Sequence, residues 1–262
     1  MSETPDRKAQ IEERFGSSAQ AYADSAGHRG GPDLDRMLEL AGLHGDEEIL
    51  DVATGAGNTA LAFAPLVRRV VALDLAEGMI ATTRARFEDA GFGNAEFVVR
   101  DAENLPFADE SFDVVTCRIA LHHFLDVARS TREVFRVLRP GGTYLMEDSL
   151  GPDAEAVAAF LHDAECLRDR THVRSYPRSE WIRILHAAGF LTDRAEVFRK
   201  RHDFEAWLER GGTPDADKDA LRAAFLSAPE PVRAVLEIET EGGRVRAFTD
   251  EKILLAARRP VS

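Results

Sequence analysis

The chain has 262 residues, with 33 Lys and Arg against 46 Asp and Glu, a formal charge of −13, and 44% apolar residues. A chain of this size buries roughly 70–75% of its unfolded surface, enough for a core without disulfides or a structural metal. The acidic balance, with no Lys/Arg stripe, argues against nucleic-acid phosphates as partner, and Cys117 and Cys166 form no CxxC pair, which argues against a disulfide scaffold or a cysteine-rich zinc site. No apolar run approaches the roughly 18 residues of a membrane helix. The start, MSETPDRKAQ, lacks the apolar centre of a signal peptide, so a soluble cytoplasmic protein acting on a small molecule is expected.

The residues up to Gly31 read as a helix with Ile11, Phe15, Ala19 and Tyr22 on one face, followed by the turn-prone GHRGGP. This predicts an N-terminal helical lid over 1–31, ahead of a single domain over 32–262 that opens with a helix near Asp33. EEILDVA, RRVVALD, AEFVVRD, FDVVTCR and TYLMEDS are short β-branched runs, with crossover helices expected at about 58–65, 77–89 and 128–138. The last of these helices is stopped by Pro140-Gly141-Gly142. Strand and helix in alternation predict an α/β, doubly wound, mostly parallel sheet. Helices then follow over 153–169 and over 179–188 behind the cap candidate Ser179, with a strand over 195–200. DFEAWLERGG and DADKDALRAAFLSAP read as two short helices, a helical insertion at about 203–230. VRAVLEIET and KILLAARR read as β, with Gly242-Gly243 as a hairpin signal.

ILDVATGAGNT, residues 49–59, is a strand, a tight turn and a helix start. Glycine there lets a ligand approach the backbone, because it has no Cβ. A dinucleotide site asks for G-x-G-x-x-G; this turn offers only Gly55 and Gly57, with Ala53 and Ala60 in the other places. Asp51, ahead of the glycines, faces an incoming pyrophosphate poorly. The second strand ends in Asp74, 17 residues after Gly57, where a carboxylate accepts hydrogen bonds from ribose hydroxyls, and the third ends in Asp101. Three carboxylates along one crevice repel a phosphate-rich cofactor and welcome a cation carrying ribose, adenine and an ammonium group. Each is also open to a plainer role as a helix N-cap.

S-adenosylmethionine (SAM) fits that description. In ILDVATGAG, VVALDLAEGMI, RDAENLPFADESFDVVTCRIALHHF and VFRVLRPGG, taken in order, the chain from about Arg14 to Pro260 resembles the class I SAM-dependent methyltransferases. The resemblance is to the small-molecule group similar to the ubiquinone/menaquinone-biosynthesis C-methyltransferases. It implies a Rossmann-like seven-stranded sheet whose last strand, KILLAARR, is antiparallel. It also implies Asp51 near the cofactor's amino group, Ala53, Thr54, Gly55 and Gly57 along its methionine part, and Asp74 on its ribose diol. Leu75 and Met79 would flank adenine, Asp101 and the Ala102 amide would read the adenine edge, and Arg118 and Ile119 would border the methyl group. Ala53 stands where the family has its first turn glycine and leaves slightly less room there. Met79 is equally open to core packing, and Tyr22 to packing on the domain instead of closing over the cofactor.

Methyl transfer is a displacement at the sulfonium methyl, which asks for alignment and exclusion of water; a base is needed only for some acceptors. His122 and His123, after the fourth strand and so near the methyl end, are the candidate catalytic bases, with packing or capping as the alternative for each. In RTHVRSY, residues 170–176, His172, Arg174 and Tyr176 are candidate acceptor contacts, where the family places substrate-facing residues. Arg174 grips a carboxylate there or pairs with a surface acid. Trp207 caps the acceptor or packs on the sheet, and Glu147-Asp148 forms pocket wall or turn. No tight oxygen-ligand cluster and no HExxH supports a metal, and no GxSxG or P-loop supports a hydrolase or nucleotide-phosphate reading. The expectation is methyl transfer to a C, O or N atom of a small metabolite, with S-adenosylhomocysteine as product. The composition looks bacterial, the state is monomer or homodimer, and neither nucleic acid nor membrane is a partner. The rivals are a protein that binds SAM or does other chemistry on it, and an NAD(P)-dependent oxidoreductase, which the two-glycine turn behind Asp51 disfavours.

Overall fold

A computed structural model describes residues 4–24 and 30–261, without the side chains of residues 4–6, 18 and 20–24. The turn expected after the first helix therefore lies partly outside the described residues, as does the side chain of Tyr22. Helix α1 spans Thr4–Asp24, and its Phe15 and Ala19 pack with Ala76 and Met79. Helix α2, Pro32–Ala41, starts with proline, whose fixed φ suits a first turn, and carries Asp33 and Asp35 against the positive end of its dipole.

The parallel core follows in chain order: β1 (Glu48–Val52), α3 (Asn58–Phe63), β2 (Arg69–Asp74), α4 (Glu77–Asp89), β3 (Ala95–Val99), β4 (Phe112–Arg118), α5 (Val127–Val137) and β5 (Leu138–Ser149). β1 pairs in parallel with β2 and β4, placing Asp51 beside Ala72 and Thr116. β1 and β2 are buried nearly throughout because a parallel sheet is covered on both faces. α5 is capped by Asp126, which accepts from the Arg129 amide.

β5 begins five residues earlier than the run TYLMEDS suggests. Pro140-Gly141-Gly142 does not end the helix but forms a bulge, across which pairing steps from Phe112↔Leu138 to Val114↔Thr143. A Cβ on Gly142 would lie 2.9 Å from the carbonyl oxygens of Arg139 and Asp113, so the bulge requires glycine.

The remaining elements are α6 (Glu155–Arg168), α7 (Arg178–Ala188), β6 (Leu191–Asp203), α8 (Phe204–Arg210), α9 (Asp215–Leu226), α10 (Glu230–Val235), β7 (Glu239–Glu241) and β8 (Arg244–Arg258). α7 starts one residue before Ser179, which lies in its first turn and does not cap it. VRAVLEIET is corrected: it is helical to Val235, and only Glu239–Glu241 forms a strand. Pro229 and Pro231 begin that helix, and Val232 and Leu236, one turn apart, join an apolar core. β7 and β8 are antiparallel, joined by Gly242 and Gly243 at φ 57° and 72°, the mirror-image turn that matches strand twist.

The sheet order is β3-β2-β1-β4-β5-β8-β6, seven strands on one path, with β7 added on β8. The fold is thus the mixed α/β, mostly parallel arrangement expected, with its last strands antiparallel. The chain divides into two compact units, the first comprising Met1–Asp148, Trp181–Glu196 and Leu254–Ser262, the second Ser149–Glu180 and Val197–Ile253. The second unit has its own core, in which Phe204, Trp207, Phe225 and Phe248 pack ring against ring. Among the described residues no helix is long and apolar enough to cross a membrane.

Candidate active site

The turn after β1 is built on left-handed backbone: φ is 53° at Ala53, 55° at Gly55 and 78° at Gly57. Ala53 thus takes the conformation for which glycine is the usual choice, at about 1–2 kcal/mol of local strain. At Gly57 a Cβ would come 2.5 Å from Thr83 Cγ2, whereas a Cβ at Gly55 would meet nothing within 4 Å, so open space borders the turn there.

Two of the strand-end acids hold this turn. Asp51 is buried and accepts from the hydroxyls of Thr54 at 2.6 Å and Thr116 at 2.7 Å. Burial raises its pKa to about 6, against the lowering effect of those two hydroxyls. Asp74 accepts from the Gly55 amide at 2.9 Å and the Ala76 amide at 2.9 Å, which ties the end of β2 to the turn. Burial also raises its pKa, although these amides pull the other way. Leu75 beside it is half-buried, and Met79 is buried in the cluster with Ala19 and Phe15.

At the end of β3, Asp101 accepts from the Glu103 amide at 2.9 Å, and the Ala102 between them is buried. Lys8 of α1 reaches both acids, with Nζ 2.5 Å from Asp101 and 2.6 Å from Glu103. Burial opposes the charge on Lys8, but hydrogen bonds to the two carboxylates outweigh it and raise its pKa. Nothing in the spacing of the sequence points to Lys8, which lies 93 residues before Asp101.

The end of β4 carries a third group. The Arg118 guanidinium donates through Nε to Glu147 at 2.9 Å and to Asp33 at 2.9 Å, both side chains being largely buried. Burial works against the charge of Asp33, yet the contacts to Glu147 and Arg118 win and lower its pKa. Ile119 has φ 55°, rare for a β-branched residue, and its amide donates to the Glu147 carbonyl at 2.8 Å. In the turn that follows, His122 Nδ1 lies 2.5 Å from Asp148 Oδ1, and the His122 amide donates to Asp148 Oδ2 at 3.0 Å. The ring of His123 lies 4.1 Å from that of His122.

In the second unit, His172 is buried, with its ring 5.7 Å from that of His162. Arg174 donates to both carboxylate oxygens of Glu180, at 3.1 and 2.7 Å, and its guanidinium lies over the Tyr176 ring at 4.8 Å. Trp207 lies in the aromatic core, under the Arg168 guanidinium at 5.1 Å. Among the described residues no group of three or more His, Cys, Asp and Glu side chains is arranged to hold a metal ion.

Residues 50–146 match the methyltransferase domain family. The uncharacterized methyltransferase YcgJ of Bacillus subtilis (strain 168) is 36% identical over 205 residues, 78% of this chain and 81% of its own length. The chain belongs to the SAM-dependent methyltransferases. A crystal structure from Bacillus halodurans C-125, of a candidate methyltransferase, superposes on this methyltransferase with a TM-score of 0.86 at 41% identity, covering 88% of this chain and 100% of that one. The ubiquinone/menaquinone biosynthesis C-methyltransferase of Proteus mirabilis (strain HI4320) is 30% identical over 175 residues, 58% of this chain and 70% of its own.

Proposed function

We propose that this methyltransferase acts on a small organic acceptor at a C, O or N atom, with His122, oriented by Asp148, taking the acceptor's proton. The observation that carries the reading is the buried pair of His122 and Asp148, joined at 2.5 Å. With its Nδ1 proton directed at the carboxylate, the imidazole has Nε2 as its basic nitrogen, while the second carboxylate oxygen holds the His122 backbone. Such a carboxylate fixes both the tautomer and the direction of a general base.

When bound, SAM supplies an electrophilic sulfonium methyl. The fit of this chain to that cofactor is supported by Asp51, a buried carboxylate touched by two hydroxyls and, among the described residues, by no cation, beside a turn with open space at Gly55. In the proposal Asp51 takes the ammonium group, Ala53 to Gly57 line the methionine part, and Asp74 takes the ribose diol. Leu75 and Met79 flank adenine, Asp101 and the Ala102 amide read its edge, and Arg118 and Ile119 border the methyl group. The segment 1–31, with Tyr22, serves as lid to the domain at 32–262, whose insertion spans about 203–230. Of the expected acceptor contacts His172, Arg174, Tyr176 and Trp207, His172 is both buried and able to accept or donate, so it is the first of the four to vary. The protein is proposed to work in a bacterial cytoplasm, as its cysteine usage and the organisms of its relatives suggest.

The test is a mass-spectrometric screen in which S-adenosylhomocysteine forms only when a candidate acceptor is added. His122→Ala and Asp148→Asn are expected to bind SAM as the wild type does and to lose about 10²–10⁴ in turnover. Methylthioadenosine as product, or full activity in His122→Ala, sinks the reading.

A further inference from the structure

The turn after β1 is gripped from α4 at two consecutive peptides. The Thr83 hydroxyl donates to the Gly55 carbonyl oxygen at 2.8 Å. Further along α4, the Arg86 guanidinium donates to the Ala56 carbonyl oxygen and, at 2.9 Å, to Asn58 Oδ1. Thr83 is fully buried, and its Cγ2 lies 2.5 Å from where a Cβ on Gly57 would stand, so the side chain packs directly on the turn.

A trans peptide points its C=O and its N–H in opposite directions, and the chain has no cis peptide. With the Gly55 oxygen drawn to α4, the Ala56 amide is therefore turned to the other side, away from that helix. The amides around it are taken: Thr54 donates to the Leu73 oxygen, Gly55 to Asp74 and Gly57 to the Thr54 oxygen, each at 2.9 Å. The Ala56 amide has no acceptor among the described residues, although Ala56 is buried, and a buried backbone N–H normally has one.

The direction of that amide is open to reversal. Gly55 has φ 55° and, without a Cβ, a ψ that is little restricted, so the peptide between Gly55 and Ala56 can turn over and present its oxygen where its N–H now stands. An oxygen there repels an anion, whereas an N–H binds one. The methionine end of SAM carries a carboxylate on the same carbon as the ammonium group assigned above to Asp51.

We propose that Thr83 is a positioning residue for the cofactor: by holding the Gly55 oxygen against α4, it presents the Ala56 amide to the carboxylate of SAM. The inference rests on the reading of this turn as the methionine subsite, and adds the group that takes the carboxylate and the residue that aims it.

Decarboxylated S-adenosylmethionine, which keeps the ammonium group and lacks the carboxylate, separates this role from a structural one. In calorimetric titration of the full chain, Thr83→Val and Thr83→Ala should weaken SAM about tenfold, with Thr83→Ser close to the wild type, whereas the decarboxylated ligand should bind all of these proteins alike. In the wild type, the Ala56 amide proton should move downfield in the NMR spectrum on addition of SAM and stay in place with the decarboxylated ligand. Equal losses for the two ligands overturn the inference, because they report a loosened fold. Wild-type SAM affinity in Thr83→Val and Thr83→Ala overturns it too, as does an Ala56 signal that SAM leaves unmoved. Failure of the underlying reading looks different: the wild type would then bind neither ligand.

Discussion

Asp51 in the first unit and Asp250 in the second are both buried carboxylates, 1% and 5% exposed, and their acidities move in opposite directions. Burial lifts the pKa of Asp51 to about 6, because the groups that touch it, the hydroxyls of Thr54 and Thr116 and the Ala60 backbone amide, carry no charge. Arg118 acts on it only through space, since its guanidinium is engaged by Asp33 and Glu147. Asp250 suffers the same burial, but the Lys252 ammonium at 2.8 Å and His202 Nε2 at 2.9 Å bring its pKa down to about 2. Lys252 is tied in turn to the Ser149 hydroxyl at 2.8 Å. A buried charge persists only with a partner. In the second unit the chain provides that partner; at Asp51 none of the described residues does, and in the proposed function the cofactor's ammonium group fills that place.

The largest effect expected from this contrast is on stability. Lys252→Met strips Asp250 of its ammonium and should destabilise the fold by about 3–5 kcal/mol, read as a lower denaturant midpoint. Asp51→Asn should leave the midpoint within about 1 kcal/mol of wild type, because an amide satisfies both threonine hydroxyls without a buried charge. Its cost should fall on SAM affinity instead, at about tenfold or more. If Asp51→Asn unfolds as readily as Lys252→Met, the two carboxylates are doing the same job and the contrast is broken.

Asp74 lies between these extremes, since the amides of Gly55 and Ala76 already hold it. Asp74→Ala removes the anchor of the turn together with the acceptors proposed for the ribose hydroxyls. Calorimetric titration of SAM should show a loss of about 1.5–3 kcal/mol, tenfold to a hundredfold in affinity, with Asp74→Asn in between. Unchanged affinity in Asp74→Ala would remove the ribose role.

What could be read without coordinates follows from how local each signal is. The parallel core declares itself because each strand is a short run rich in apolar residues, and α4 runs over 77–89 as its pattern indicates. Asp51, Asp74 and Asp101 are visible as strand-end acids, and the Thr54 hydroxyl that touches Asp51 lies only three residues on. Thr116, Lys8 and Phe15 are not visible, because they reach Asp51, Asp101 and His123 from other elements, through pairing or packing that sequence spacing does not encode. Asp148 reads equally as turn or pocket wall until the 26-residue separation from His122 is closed in space. VRAVLEIET misleads for a different reason: its apolar residues suit both periods, and the prolines ahead of it decide for helix.

The smallest effect is the most discriminating, because it sets two consequences of one proton against each other. Asp51 has a folded pKa of about 6, above the value of about 3.9 in an unfolded chain, so it binds a proton in the folded state first. As pH falls from 7 towards 4 that proton should stabilise the ligand-free protein. Over the same range it should weaken SAM, whose ammonium needs the ionised carboxylate, by up to about tenfold per pH unit below 6 and with little change above it. Asp250 does not blur this window: its folded pKa of about 2 makes its stabilisation complete above about 4, to be lost only as pH falls further towards 2. Methylthioadenosine, which has no ammonium group, should bind with nearly the same affinity at pH 5 and pH 7, and Asp51→Asn should flatten the SAM profile. A SAM affinity that keeps its wild-type pH dependence in Asp51→Asn would assign that proton to another group, and the contrast with Asp250 would lose its functional meaning.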